Sequence, residues 1–385
     1  MLTGFRFLGE LTQNINILVK TLQTEEEVNG EQNRYLARTT IVDTENDELF
    51  GSYEGQVFAA DIIVDDQEAV IHEAGGFQAY TGKGQMVPKI KHGARVGESM
   101  IRRLNELARQ VTITDGDADL ITGWENRMAD RLVQGIRMRQ NALSANMMLD
   151  LIAYDKLGVK IDTGSSWGMP TELKRVAGTP WALSVADFIA GIANPDAQPI
   201  TDIRKTLAAG RAAGATYNRV NMGSFTFNLI TQTKEFSDMA KFVYRFDLPD
   251  GTLDTSNVDV MSRLFEQMTG VQLELDDTVY RERNTLNQNV MTRNLPVEYV
   301  LFSNSADDGN EAVFDYSNGI VIESLVAPLG NAAIFEAFGG AAQRGPFAFY
   351  NVPHDLNPPA LVCWATQVGW PRKHVPEATA RLLVM

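Results

Sequence analysis

Four histidines (His72, His92, His354 and His374) and one cysteine, Cys363, supply all the imidazole and thiol chemistry of the 385-residue chain. A single thiol excludes an internal disulfide framework and a cysteine-cluster zinc site. Cys363 stands between Val362 and Trp364 in an apolar run and reads as a small buried hydrophobe rather than a nucleophile. His354 and Asp355 are an acid–base pair by type, but after Pro353 they read first as a loop cap. TGKGQ (81–85) has a phosphate loop's composition without its Gly-x4-Gly-Lys-Ser/Thr spacing, so a turn tip is the better reading. DGDAD (115–119) opens like a calcium loop. The sixth position is Leu120 and the closing position Asn126, so the stretch reads instead as acidic residues at a helix start. Neither G-x-S-x-G nor H-E-x-x-H occurs. Asp276-Asp277 and Asp307-Asp308 are the acidic pairs of the 217–325 region, and they read as solvated loop residues. The residues thus give no catalytic set, no metal site and no cofactor site.

Composition narrows the classes further. The chain is 44% hydrophobic and 22% charged, enough apolar material for a sizeable core. Lys+Arg 34 against Asp+Glu 49 leaves −15, a poor balance for gripping duplex DNA through its phosphates. The first twenty residues lack a basic segment followed by an apolar block, and no run of about 18 apolar residues occurs. A soluble protein made in a reducing compartment, with no membrane partner, is the expectation.

The elements fall in a definite order. Residues 1–50 read as an N-terminal arm with an acidic run, Glu25-Glu26-Glu27, and as a frayed segment. Residues 51–100 read as an extended β-hairpin with a glycine-rich tip (Gly75, Gly76, Gly82, Gly84). Five acids lie on its outgoing side (61–73), and Lys83, Lys89, Lys91 and Arg95 on its return. Pro88 makes that return an edge strand or irregular. An isolated hairpin is marginal in water, so this one needs a surface to lie on. Next comes an apolar series at helical spacing: Trp124, Met128, Leu132, Ile136, Leu143, Met147, Leu151 and Tyr154. It predicts one continuous spine helix over 117–156 that runs through Gly135, since one glycine costs only ~1 kcal/mol. Leu132, Ile136, Leu143, Met147 and Leu151 are its expected core face.

Beyond 180 the pattern is mixed. Helices are expected over 184–193, 200–214, 224–236 and 258–270. Strands are expected over 217–222, 271–277, 297–304 and 318–325. Two final strand-like runs, PFAFYNVP and ALVCWATQVGWP, place Trp364 and Trp370 six residues apart. The fold class is α+β.

This order, and several short blocks, resemble the tailed-bacteriophage major capsid proteins with the Hong Kong 97-type fold, specifically the lambda-type (E-type) family. GGFQAYTGKGQMVPKIKHGARVGESMIRRL resembles that family's extended loop, with Val87, Pro88 and Lys89 and then Arg102, Arg103 and Leu104 in the matching places. RLVQGIRMRQNALSANMMLDLIAYDKLGVKID followed by GSSWGMP resembles its spine helix and next strand. TPWALSVADFIAGIANPDAQP resembles the entry to the axial domain, and GPFAFYNVPHDLNPPALVCWATQVGWPRKHVPEATARLLV its closing strands. The resemblance spans about 50–385, with the arm weakly matched.

The resemblance implies a peripheral domain with the spine helix (101–180), an axial α/β domain (181–340) and return strands of the peripheral domain (341–385). It implies copies of the chain assembling as pentamers and hexamers into an icosahedral head shell. That shell encloses double-stranded DNA without sequence-specific contact, in a virion assembled in the bacterial cytoplasm. Partners would be the chain itself, a portal, a separate scaffolding protein and a decoration protein. The loop would lie on a neighbouring subunit through Phe77, Tyr80, Lys83, Met86, Lys89 and Lys91. Related capsids can join a loop lysine to a neighbour's asparagine. Lys83 with Asn351 or Asn357 are the candidates here, and a shell held without such cross-links is expected. The competing readings are a portal or tail component, or an α/β enzyme with its site at strand ends in 217–325.

Overall fold

The apolar series of the spine forms one helix, α1 (Asp115–Leu149), which at ~1.5 Å per residue is roughly 52 Å long. In the computed structural model of the chain, the described residues are 33–43, 89–95, 115–151, 154–156, 159–161, 167–243, 258–283, 288–321, 344–345, 347–351 and 362–385, with the single positions 15, 18, 102 and 106. The helix runs unbroken through Gly135. It does not reach 156 as expected. Asp150 takes a left-handed conformation (φ 56°) and ends it, and Tyr154–Lys156 (β3) instead pairs antiparallel with Val159–Ile161 (β4). A three- or four-residue apolar spacing marks a buried face but not where the backbone stops.

One sheet lies along this helix. Its strands are β1 (Thr40–Asp43), β11 (Phe314–Asn318), β13 (Val362–Lys373) and β12 (Phe347–Asn351) in that order, and β2 (Lys89–Arg95) also pairs with β13. The β1–β11 pair is parallel, and the pairs of β13 with β11, β12 and β2 are antiparallel. Leu132 and Ile136 pack with Met128, Ala129 and Val133 against Ala348, Cys363 and Ala365. Leu143 and Met147 join Trp167, Phe347, Val368 and Trp370 in a second cluster, with Leu151, past the helix end, partly buried beside it. Cys363 is fully buried, as its apolar setting suggested.

The second sheet has the order β5 (Lys174–Val176), β14 (Thr379–Leu383), β10 (Tyr299–Ser303), β6 (Arg219–Met222) and β7 (Gln272–Leu275). Helices α2 (Val185–Ala190), α3 (Pro199–Ala212), α4 (Ser224–Gln232), α5 (Lys234–Val243) and α6 (Val258–Thr269) belong to the same part of the chain. Trp181, Phe188, Ile203, Phe227, Phe265 and Phe302 are among its buried residues. A separate hairpin pairs β8 (Val279–Arg283) with β9 (Asn289–Arg293).

Several expectations are corrected. The stretch 224–236 is two helices, because the Thr233 hydroxyl donates to the Ile230 carbonyl (2.7 Å) and accepts from the Phe236 amide (3.4 Å), closing one helix and opening the next. Strand β11 is Phe314–Asn318, beginning before the strand expected over 318–325, of which 322–325 lie outside the described residues. Residues 33–43 are not frayed: Tyr35 is fully buried and β1 is a sheet strand. The final strand β14 does not lie with the other return strands but between β10 and β5 in the second sheet.

Candidate functional site

Strand β2 falls in the stretch expected as the return of a hairpin whose tip and outgoing side lie outside the described residues, and it pairs within its own chain. It pairs with β13 over Lys89–Arg95. Two glycines permit the fit. A Cβ on Gly93 would lie 2.3 Å from the Trp364 ring opposite it, and one on Gly135 of α1 would lie 2.6 Å from the His92 ring. Burial lowers the His92 pKa, since desolvation against the helix disfavours the charged imidazolium. The Lys91 ammonium sits 4.6 Å from the centre of the Trp364 ring. Trp370 has other company and stacks on Trp167, with centroids 4.9 Å apart.

A polar network fastens residues 33–43. The amides of Tyr35 and Leu36 both donate to Asn141 Oδ1 of α1, at 2.8 and 3.0 Å. The Tyr35 hydroxyl donates to Asp276 Oδ2 (2.6 Å). Arg38, almost wholly buried, donates to Glu274 Oε2 on β7 (2.6 Å) and Asn221 Oδ1 on β6 (3.2 Å). Arg219 grips Asp308 through both terminal nitrogens, at 2.6 and 2.7 Å. Burial, then the neighbouring Arg219, lowers the Arg38 pKa. The acids expected to be solvated are thus largely engaged. Asp276 is buried on Tyr35, Asp308 holds Arg219, and Asp277 pairs with Arg293 (2.6 Å).

The end of α1 is a second polar centre. Asp150 Oδ1 accepts from the amides of Trp167 (2.6 Å) and Met169 (3.4 Å), and Lys174 lies 2.6 Å from Oδ2. Arg381 donates to the carbonyls of Leu149 (2.9 Å) and Asp150 (2.8 Å). Lys373 donates to the Thr379 hydroxyl (3.0 Å), which donates to the Met148 carbonyl (2.7 Å). Cations suit the negative end of a helix. Burial pushes the Lys373 amine down to about 8, against the opposing pull of Asp150.

Of the loop residues, Lys89 and Lys91 lie on β2. Phe77, Tyr80, Lys83 and Met86 lie outside the described residues, as do His354, Asp355 and the glycine-rich tip. Sequence reading missed Tyr35, Arg38 and Asn141. The cue was Arg34-Tyr35-Leu36-Ala37-Arg38 running straight into the β-branched stretch Thr39–Val42. Among the described residues, no group of three or more His, Cys, Asp and Glu side chains is placed to hold a metal ion. No helix among them is long and apolar enough to cross a membrane.

No protein-family model matches the chain, and no curated protein matches it in sequence. Solved structures do. A phage-related protein from Bordetella bronchiseptica RB50 matches over 96% of both chains, with 11% identity and a TM-score of 0.50. A structure described as a prophage capsid protein of E. coli CFT073 matches over 78% of each chain (14% identity, TM-score 0.46). The satellite phage P4 procapsid matches over 95% of this chain and 89% of its own (8%, 0.40). Of these three, the Bordetella protein is similar enough over its length to establish that the chain shares its fold.

Proposed function

We propose that this chain is the major capsid protein of a tailed bacteriophage, with the Hong Kong 97-type fold and a structural rather than catalytic role. Copies assemble as pentamers and hexamers into a head shell that encloses double-stranded DNA. The observation that carries the reading is the joint placement of α1 and β2. The sequence blocks resembling a capsid spine helix and the return of a capsid extended loop are the blocks that pack together here, His92 against Gly135. The fold shared with a phage-related protein over nearly the whole chain supports the same reading. The domain division follows from it: an arm before 50, the loop over 51–100, a peripheral domain around α1 and the first sheet, and an axial domain around the second.

The loop tip, with Phe77, Tyr80, Lys83 and Met86, reaches a neighbouring subunit, and Lys89 and Lys91 mark its root. Buried aromatic and methionine side chains supply most of such a contact, and exposed charges set its register. A net charge of −15 suits a wall that must not adhere to the packed genome. The partners of the shell are a portal and a separate scaffolding protein, and its place is the virion, assembled in the host cytoplasm. Gel filtration with electron microscopy of the purified chain tests the proposal. Capsomers or closed shells are expected; a small monodisperse oligomer or a ring of one fixed symmetry would refute it.

A further inference from the structure

Eleven consecutive residues, 33–43, touch α1 and both sheets. At one end, the amides of Tyr35 and Leu36 hang on Asn141 of α1. In the middle, Arg34 donates to the Leu275 carbonyl (2.8 Å), Tyr35 to Asp276, and Arg38 to Glu274 and Asn221, all on or beside the second sheet. At the other end β1 is a strand of the first sheet, parallel to β11. The segment also holds the turn by which the chain crosses from β10 in the second sheet to β11 in the first. The Gly309 amide donates to the Arg38 carbonyl (3.0 Å), and the Thr40 hydroxyl donates to the Gly309 carbonyl (2.8 Å).

The charges interleave. Arg38 lies 2.6 Å from Glu274 and 4.0 Å from Asp308, and Arg219 lies 2.6 Å from Asp308 and 3.7 Å from Glu274. Arg34 also lies 4.0 Å from Glu274, so three guanidiniums surround two carboxylates, and each arginine is tolerable beside the others only while both acids are present. Apolar contacts between the two parts, such as Leu301 of β10 within the cluster that holds Leu143 and Trp370, are non-directional and permit sliding. Charge-assisted hydrogen bonds fix distance and angle.

We propose that residues 33–43 form a clasp whose polar bonds set the angle between the two sheets, and thereby the shape a subunit presents to its neighbours in a shell. The second half rests on the capsid reading; the first does not. The test uses the full chain with spin labels on Arg131→Cys of α1 and Lys205→Cys of α3, the native Cys363 being buried. Arg38→Met breaks the network outright. Arg38→Met combined with Glu274→Met removes one charge of each sign, leaves Arg219 paired with Asp308, and guards against simple misfolding.

In the double variant, the label–label distance distribution should broaden at least twofold. Amide exchange across 35–43 should accelerate at least tenfold, while exchange in the middle of α1 stays within twofold of the parent. An unchanged distribution with unchanged exchange would overturn the clasp. So would uniform acceleration throughout the chain, which would make the segment ordinary core. For the second half, particles of the double variant should vary in diameter; a broadened distribution with particles of parental diameter would overturn it. Failure of the parent chain to form any particle would count against the capsid reading and leave the distance result standing.

Discussion

His92 of β2 lies so close to Gly135 of α1 that a single added methyl carbon at position 135 would come within 2.6 Å of the imidazole. The glycine in the middle of the long helix is therefore a packing site, the place where β2 meets the helix. Gly135→Ala should destabilise the subunit by roughly 1–3 kcal/mol, although alanine is the better helix former by ~1 kcal/mol. Gly123, in the same helix, would meet only the Arg127 guanidinium at 3.8 Å. Gly123→Ala should be neutral or stabilising by up to ~1 kcal/mol. Denaturant melts of the two variants check the pair. Equal effects would mean that β2 does not press on the helix.

The core face of α1 has a conventional cost. Leu132 is fully buried among Ala348, Cys363 and Ala365, so Leu132→Ala should cost ~2–5 kcal/mol. Arg131, exposed one residue earlier, should tolerate alanine within ~0.5 kcal/mol. Chemical denaturation of both variants measures the contrast.

That face was legible in the sequence because its periodicity is local. The end of the helix was not. Asp150 is held by amides 17 and 19 residues downstream and its carbonyl by Arg381, 231 residues away, and none of these can be read from spacing. The same holds for residues 33–43. The Tyr35–Asp276 bond spans 241 residues, and without it Tyr35 reads as part of a loose arm. Strand β11 was not legible at 314–317 because FDYSN is polar by composition yet buried throughout. Arg372 takes Asp315 in a two-pronged pair (2.8 and 2.7 Å), and Gln367 donates to Asn318 (2.7 Å). Polar residues with distant partners mimic a loop until those partners are known.

Lys373 gives a pH signature. Its folded value is about 8, against the usual 10.5 of a free lysine. Below about 8 both states are charged, and the cost of burying the charge is fully present. Between about 8 and 10.5 the folded chain has shed the proton while the unfolded chain keeps it, so stability rises with pH across that window. Lys373→Met removes the titration. The stability of the parent relative to this variant should climb by on the order of a few kcal/mol from the bottom to the top of the window. Parallel pH profiles would show that the amine does not titrate in the folded chain.

Asp315 works in the opposite direction. Burial raises its pKa, but bonds from His374 (2.9 Å) and Arg372 outweigh burial and hold the carboxyl below its usual value. A depressed carboxylate stabilises the fold at pH values above its unfolded pKa, and that contribution is lost as pH falls through the lower folded value. Asp315→Asn should therefore be less stable than the parent at neutral pH, with the gap closing in acid. Melting curves at a series of pH values follow the gap, and one constant down to strong acid would contradict the pairing.

The proposed loop contact has its own test. Deleting residues 74–85 removes Phe77, Tyr80 and Lys83 and leaves β2 intact. The variant should be folded and soluble, with melting close to the parent, and unable to close shells. Loss of folding together with a fully assembly-competent soluble fraction would make the hairpin part of the subunit core. Denaturing electrophoresis of parent particles should show one band at 42.6 kDa. A ladder of covalent multimers would instead point to Lys83 joined to Asn351 or Asn357.

Single-particle electron cryomicroscopy of the assembled parent chain tests the central claim most directly. The account predicts closed shells built from fivefold and sixfold clusters. In each, the helix and first sheet should sit toward the cluster's edge, the second sheet toward its axis, and density from the segment before Lys89 should cross onto the adjacent subunit. A single closed ring, a tube, or a particle in which that segment folds back on its own subunit would contradict it.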